Sequence, residues 1–306
     1  MTVALVPEAA DAIRRLLGSP PVAFTARAGG YTRAITGLVT LADGRTTFVK
    51  TAALDCPADD PLLEDLEHER AVLLAVAETR AAPHAPAVLA TADLPVPLLA
   101  LEDLAAARWP LPYPDDVGPR VAARAALAAG PPPAVLTAVV DEPGATGPWE
   151  QFAADPSPFL ALGLADEAWL GRALPALVEA EARVGLGGEA LVHGDLWYAN
   201  LCFAGRGAVV VDWGSAMRGN PVLDRATVAL DLVLEGRDPG PLEVPDLPAW
   251  LAFLGGHLAR EATQPLHPVV AADSPLRADQ AADAAALLPH LARLLDLPPL
   301  AHTHLR

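Results

Sequence analysis

Two short polar clusters, close together in the second half of the chain, constrain it more than any other feature. His193-Gly194-Asp195-Leu196-Trp197-Tyr198-Ala199-Asn200 is followed, twelve residues after Asn200, by Asp212-Trp213-Gly214. Between them the apolar run Ala208-Val209-Val210-Val211 reads as a short buried strand. The predicted layout is a loop carrying an acid and an amide, a hairpin return, and a second acid at a strand end. Each residue alone has a plain structural reading; a lone His193 is more often a satisfied core histidine than a base. Together they supply a carboxylate to orient a hydroxyl, and an amide plus a carboxylate to hold magnesium. Phosphoryl transfer from a nucleotide requires these parts.

Length and composition set bounds on the rest. With 306 residues, 52% of them hydrophobic, the chain can bury a sizeable core in two lobes or domains. Much of the apolar count is alanine, and no apolar run approaches the roughly 18 residues of a membrane span. Glu8 and Asp11 interrupt the N-terminus, which has no basic start or signal-peptide core. Cys56 and Cys202 make neither a disulfide framework nor a zinc site. A cytoplasmic protein without a membrane partner is expected. The net charge of −17 argues against a nucleic-acid partner. It is also spread out: −6 over residues 1–104, −6 over 105–192, −1 over 193–212 and −4 over 213–306. A solvated, solubilising surface accounts for it, and nothing sets an oligomeric state.

In chain order, residues 7–18 predict a short helix, and strands follow over 22–28, 33–41 and 46–51. Asp43-Gly44 marks a hairpin between the second and third strands. Gly29-Gly30-Tyr31-Thr32 joins the first two; paired glycines let backbone N–H groups approach phosphate oxygens, although an ordinary turn is the commoner reading. Lys50 ends the third strand and is the only lysine, the other 20 basic residues being arginine. This usage points to a need for a compact ammonium at that site. A helix over 61–80 and strands over 86–91 and 96–101 complete a five-stranded sheet with one helix. Beyond residue 105 the chain is proline-punctuated and helical, with helices expected over 115–129, 166–184, 220–235, 250–261 and 278–295. Loops are expected at 131–133 and 141–148.

Asp195 to Asn200 has the offset of the protein-kinase catalytic loop, H-R-D-x-x-x-x-N, and Asp212-x-Gly214 has the shape of D-F-G. With Gly194 in place of the arginine, the H-G-D and D-W-G pair resembles the aminoglycoside phosphotransferase and choline kinase-like family. The resemblance spans roughly residues 22–235. It implies an α+β, bilobal, protein-kinase-like fold, with a nucleotide-binding lobe over 1–104 and a mainly helical lobe over 105–306. It further implies Mg2+ held by Asn200 and Asp212, and ATP or GTP as donor. Gly29, Gly30 and Thr32 would lie by the phosphates, as would Lys50, steadied by Glu69 or by its rival Glu67. Glu102 and Leu104 would offer hinge backbone to the base. Asp195 would orient the acceptor hydroxyl, His193 would hold the loop, and Asp224 would brace it. Asn220 and Arg225 depart from the Gly-Asp-Pro and Asp-Leu-Ala of relatives, on the substrate side. The implied activity is transfer to a small-molecule hydroxyl, of an aminoglycoside or other antibiotic. The alternatives are a metabolite or natural-product kinase, since His193–Trp197 also resembles the fructosamine kinase loop, and a nucleotide-binding pseudokinase.

Overall fold

The computed structural model describes residues 7–27, 30–93, 96–109, 132–142 and 147–300; Gly29 and the helix expected over 115–129 lie outside these. Five strands form one antiparallel sheet in the order β1-β2-β3-β5-β4: β1 Pro21–Ala26, β2 Ile35–Leu41, β3 Thr46–Thr51, β4 Val88–Asp93 and β5 Pro97–Glu102. Side chains alternate across a strand, so each face has its own partner. Val39, Leu41, Val49, Leu98 and Ala100 pack under Ala9, Ala12 and Ile13 of α1, Pro7–Leu17. On the opposite face Leu99 and Leu101 meet Val72, Leu73 and Val76 of α2, Pro61–Val76. Lys50 takes the face opposite Val49, with Thr36 and Leu99 as its cross-strand neighbours. The hairpin turns at Gly44, whose φ of 85° suits a residue without Cβ.

Local chemistry sets the ends of these elements. Asp60 caps α2 by accepting from the Leu62 N–H, and Pro61 occupies the first turn, where no N–H is needed. The helix stops at Val76, short of the expected residue 80, because the Thr79 hydroxyl takes the Val76 carbonyl at 2.8 Å and turns the chain. The second strand starts at Ile35, since the Arg33 N–H is committed elsewhere, to the Val269 carbonyl.

The rest of the described chain is mainly helical: α3 Pro148–Ala154, α4 Ser157–Ala161, α5 Glu167–Glu181, α6 Val222–Leu234, α7 Leu247–Thr263 and α8 Leu276–Leu294. Two of these were not expected, because α3 and α4 are too short to show a helical period. Pro148, placed in a loop by its sequence, opens α3. Helix α6 is apolar on almost every side. Val222, Leu223, Ala226 and Leu230 face the aromatic cluster of Trp149, Phe159 and Trp169, while Val228, Ala229 and Leu232 face the cluster containing Leu99, Leu101 and Trp213. It is therefore the rigid post of this half of the molecule. Four short strands make two ribbons: β6 Ala190–Val192 pairs with β9 Met217–Gly219, and β7 Leu201–Ala204 with β8 Gly207–Val210. The β7–β8 hairpin was expected; the β6–β9 pair, drawn from strands of three residues, was not. Among the described residues no helix is long and apolar enough to cross a membrane.

Candidate active site

Strand β3 delivers Lys50 to a junction of three charged groups. Its ammonium donates to both carboxylate oxygens of Glu69, at 3.0 and 2.7 Å, and to Asp212 Oδ1 at 2.7 Å. Glu67, two residues earlier on the helix, instead pairs with Arg70 at the helix surface. Burial by itself would lower the lysine pKa, but the two carboxylates outweigh it and hold Lys50 above its ordinary value. Burial pushes the Glu69 carboxyl up against the opposing pull of Lys50, whereas the charge of Lys50 draws Asp212 below the usual aspartate range. Asp212 has a backbone φ of 64° and ψ of 69°. That left-handed geometry costs a non-glycine residue about 1–3 kcal/mol and persists where surrounding contacts impose it. Here the Val211 N–H bonds to Asn200 O at 2.8 Å, and the Trp213 indole bonds to Val210 O at 2.9 Å.

The 193–200 loop is held from behind by α6. Asp224 accepts the His193 N–H at 2.8 Å and the Gly194 N–H at 3.1 Å, and Asp231 accepts the Tyr198 N–H at 2.7 Å. Asp231 went unnoticed in the sequence, although it follows Asp224 by seven residues and so shares its helix face. Gly194 has φ 78°, and a Cβ there would stand 2.3 Å from the Ser215 carbonyl oxygen. An arginine at this place is excluded by backbone. His193 is fully buried, edge-on to Trp213, with Nε2 3.1 Å from Val211 O; burial pulls its pKa down to about 4. Asp195 turns toward Asn200, whose amide donates to its Oδ2 and its carbonyl, both at 2.9 Å. Burial, then the nearby charge of Asp212, push Asp195 up to about 6, against the hydrogen bond from Asn200.

These groups border a cleft of about 430 Å³ between the sheet and the helical half. Gly30, Thr32, Lys50, Glu69, Glu102, Leu104, Asn200 and Asp212 all line it. Asp195 lies just outside the lining, beside Asn200. Leu38, Phe48, Leu101 and Val211 give the cleft apolar walls suited to a planar base. Glu102 borders the cleft while its carboxylate clamps Arg206 of the β7–β8 turn, accepting from Nη2 at 2.6 Å. The Leu104 carbonyl receives the Ala107 N–H at 3.0 Å and the Trp109 indole N–H at 3.1 Å. Trp109 also borders the cleft and had no signal in the sequence.

Magnesium takes hard oxygen ligands and keeps only one or two from the protein, the rest being water and phosphate. Asp212 has a carboxylate held ionised, and Asn200 spends its amide N–H on Asp195, which leaves its carbonyl oxygen as an acceptor. This donor set fits the ion. No group of three or more His, Cys, Asp or Glu suited to a metal occurs among the described residues.

A five-stranded sheet, a hinge and an Asp–Asn loop facing a second aspartate define a kinase-like phosphotransferase. The chain belongs to the phosphotransferase enzyme family (APH), whose model matches residues 24–245, and it is a small-molecule kinase of that family. Solved structures share the fold. A Thermobifida fusca protein provisionally designated a fructosamine-3-kinase is 23% identical, with 93% of this chain and 99% of that one covered and a TM-score of 0.58. A thermostable mutant of the aminoglycoside phosphotransferase APH(4)-Ia, in ternary complex with AMP-PNP and hygromycin B, is 17% identical over 94% and 98%, with a TM-score of 0.56. A choline kinase from Streptococcus pneumoniae is 13% identical over 90% and 96%, with a TM-score of 0.54. No curated protein matches the chain in sequence.

Proposed function

We propose that this chain transfers the γ-phosphoryl group of ATP or GTP to a hydroxyl of a small molecule, with an aminoglycoside or other antibiotic as the first acceptor class. The observation that carries the reading is the junction of Lys50, Glu69 and Asp212 on the same cleft as the Asp195–Asn200 loop. Lys50, fixed by Glu69, binds the α- and β-phosphates. Gly30 and Thr32 border them, and the hinge backbone at Glu102 and Leu104 reads the base. Asn200 and Asp212 would hold Mg2+, which neutralises charge on the phosphates. Asp195 accepts a hydrogen bond from the acceptor hydroxyl and aims it at the γ-phosphorus. The new P–O bond forms as the bond to ADP breaks, and the proton passes late to Asp195. Positioning and electrostatics supply the rate, so no covalent enzyme intermediate is required.

A metabolite or natural-product acceptor, of the fructosamine or choline kinase kind, is the second reading. It is supported by the resemblance of His193–Trp197 to the fructosamine kinase loop. A pseudokinase is disfavoured, because the full set of Lys50, Asp195, Asn200 and Asp212 is present. We also place the lobe boundary between residues 104 and 105, at the end of the hinge. A cytoplasmic setting is supported by the unpaired Cys56 and Cys202 and by the nucleotide donor. The test is a melt with Mg-ATP and Mg-GTP, with and without chelator, followed by an acceptor screen that reads ADP release. Nucleotide should raise the melting temperature, and chelator should diminish that rise. Absence of magnesium-dependent nucleotide binding by calorimetry overturns the reading.

A further inference from the structure

The loop between β1 and β2, which borders the nucleotide end of the cleft, is fastened to the far half of the chain. Thr32 bridges Val270 in antiparallel fashion. The Arg33 N–H donates to Val269 O at 2.8 Å, and the Ala271 N–H donates to Tyr31 O at 2.8 Å. Arg33 Nε reaches Pro268 O at 2.7 Å, while its Nη2 pairs with Asp60, the cap of α2, at 2.6 Å. The Tyr31 hydroxyl donates to Asp279 Oδ2 on α8 at 3.0 Å. Burial and the Asp279 carboxylate push this phenol up to about 12, so it remains a donor. Beneath these bonds Val269, 8% exposed, sits among Ala52, Leu62, Leu66 and Val96. The connector between α7 and α8 thus ties residues 31–33 to the C-terminal half of the chain.

We propose that Tyr31, Arg33 and Asp279 are positioning residues for phosphoryl transfer, fixing residues 30–33 at the nucleotide end of the cleft from the C-terminal side. The inference rests on the nucleotide reading above. A glycine-bearing loop loses much backbone entropy when it settles on phosphate; a loop already tethered has lost part of it before the nucleotide arrives. Releasing the tether therefore shortens nucleotide residence while the rest of the fold stays intact.

The test uses the full chain and a fluorescent ADP with Mg2+, its release followed by stopped flow, together with amide exchange at Arg33 and Ala271. Tyr31→Phe and Asp279→Ala should each speed release about fivefold, the scale of one hydrogen bond. Both should raise exchange at the two amides with little change in melting temperature. Asp279→Asn keeps a carbonyl acceptor and should restore slow release. Wild-type release rates in Tyr31→Phe and Asp279→Ala overturn the proposal, as does a fall in melting temperature with release unchanged, which would make the contacts merely structural. Failure of the wild-type chain to bind the probe overturns the nucleotide reading itself, and the proposal with it.

Discussion

The Lys50 junction and the 193–200 loop are built on opposite plans. At the junction the functional groups hold one another: Lys50 is bonded to Glu69 and Asp212 through the atoms that would meet phosphate and metal. In the loop the functional side chain is held indirectly. Asp224 and Asp231 grip backbone N–H groups from α6, and Asp195 is oriented by the Asn200 amide. Removing a group from the junction should disturb charge balance, binding and stability together. Work on the loop should separate them, because chemistry sits on one residue and support on another.

The largest effect expected is that of Asp195→Asn. It keeps the shape and removes the base, so turnover with an accepted substrate should fall about 10²- to 10⁴-fold. Nucleotide affinity by calorimetry should hardly move; a matching loss of affinity would erase the contrast between the two regions. Lys50→Ala should strike binding and stability together with activity. It leaves Glu69, which is 3% exposed, without its partner, and should cost roughly 3 kcal/mol in a urea melt and weaken nucleotide binding. Lys50→Arg should also impair activity, since a guanidinium cannot occupy the point an ammonium does. Normal turnover of that variant would mean that the sole lysine is a compositional accident.

Smaller effects sharpen the contrast within the loop. Asp224→Asn offers the His193 and Gly194 N–H groups only one acceptor and should lower stability by about 2 kcal/mol. Activity measured well below the melting temperature should fall less than in Asp195→Asn. His193 supplies a pH signature. Its pKa is about 4 in the folded chain, against about 6.5 unfolded. Between those values the unfolded chain binds a proton that the native chain does not, so stability falls as pH drops through this window and is fully kept above it. The histidine should account for about 2 kcal/mol between pH 7 and pH 5. Comparing urea melts of wild type and His193→Gln at the two pH values isolates it; equal pH dependence would show that His193 titrates normally.

What the chain order alone determined was local. Asp43-Gly44 marks a hairpin, strand-like runs over 22–28, 33–41, 46–51, 86–91 and 96–101 mark a five-stranded sheet, and the 166–184 and 278–295 periods mark α5 and α8 to within a few residues. The chemistry-bearing set was legible for a related reason: Asp195, Asn200 and Asp212 sit at short fixed offsets on one loop and one hairpin. Tertiary structure decided whatever depends on residues far apart in the chain. It placed Glu69 rather than Glu67 against Lys50, because helix rotation follows from packing Leu73 and Val76 on the sheet. It set Asp231 under Tyr198, and it tied Tyr31 to Asp279 across 248 residues. Loop-closure entropy opposes such long-range contacts until the core has paired the elements that carry them, and no local pattern records which partner will then be in reach.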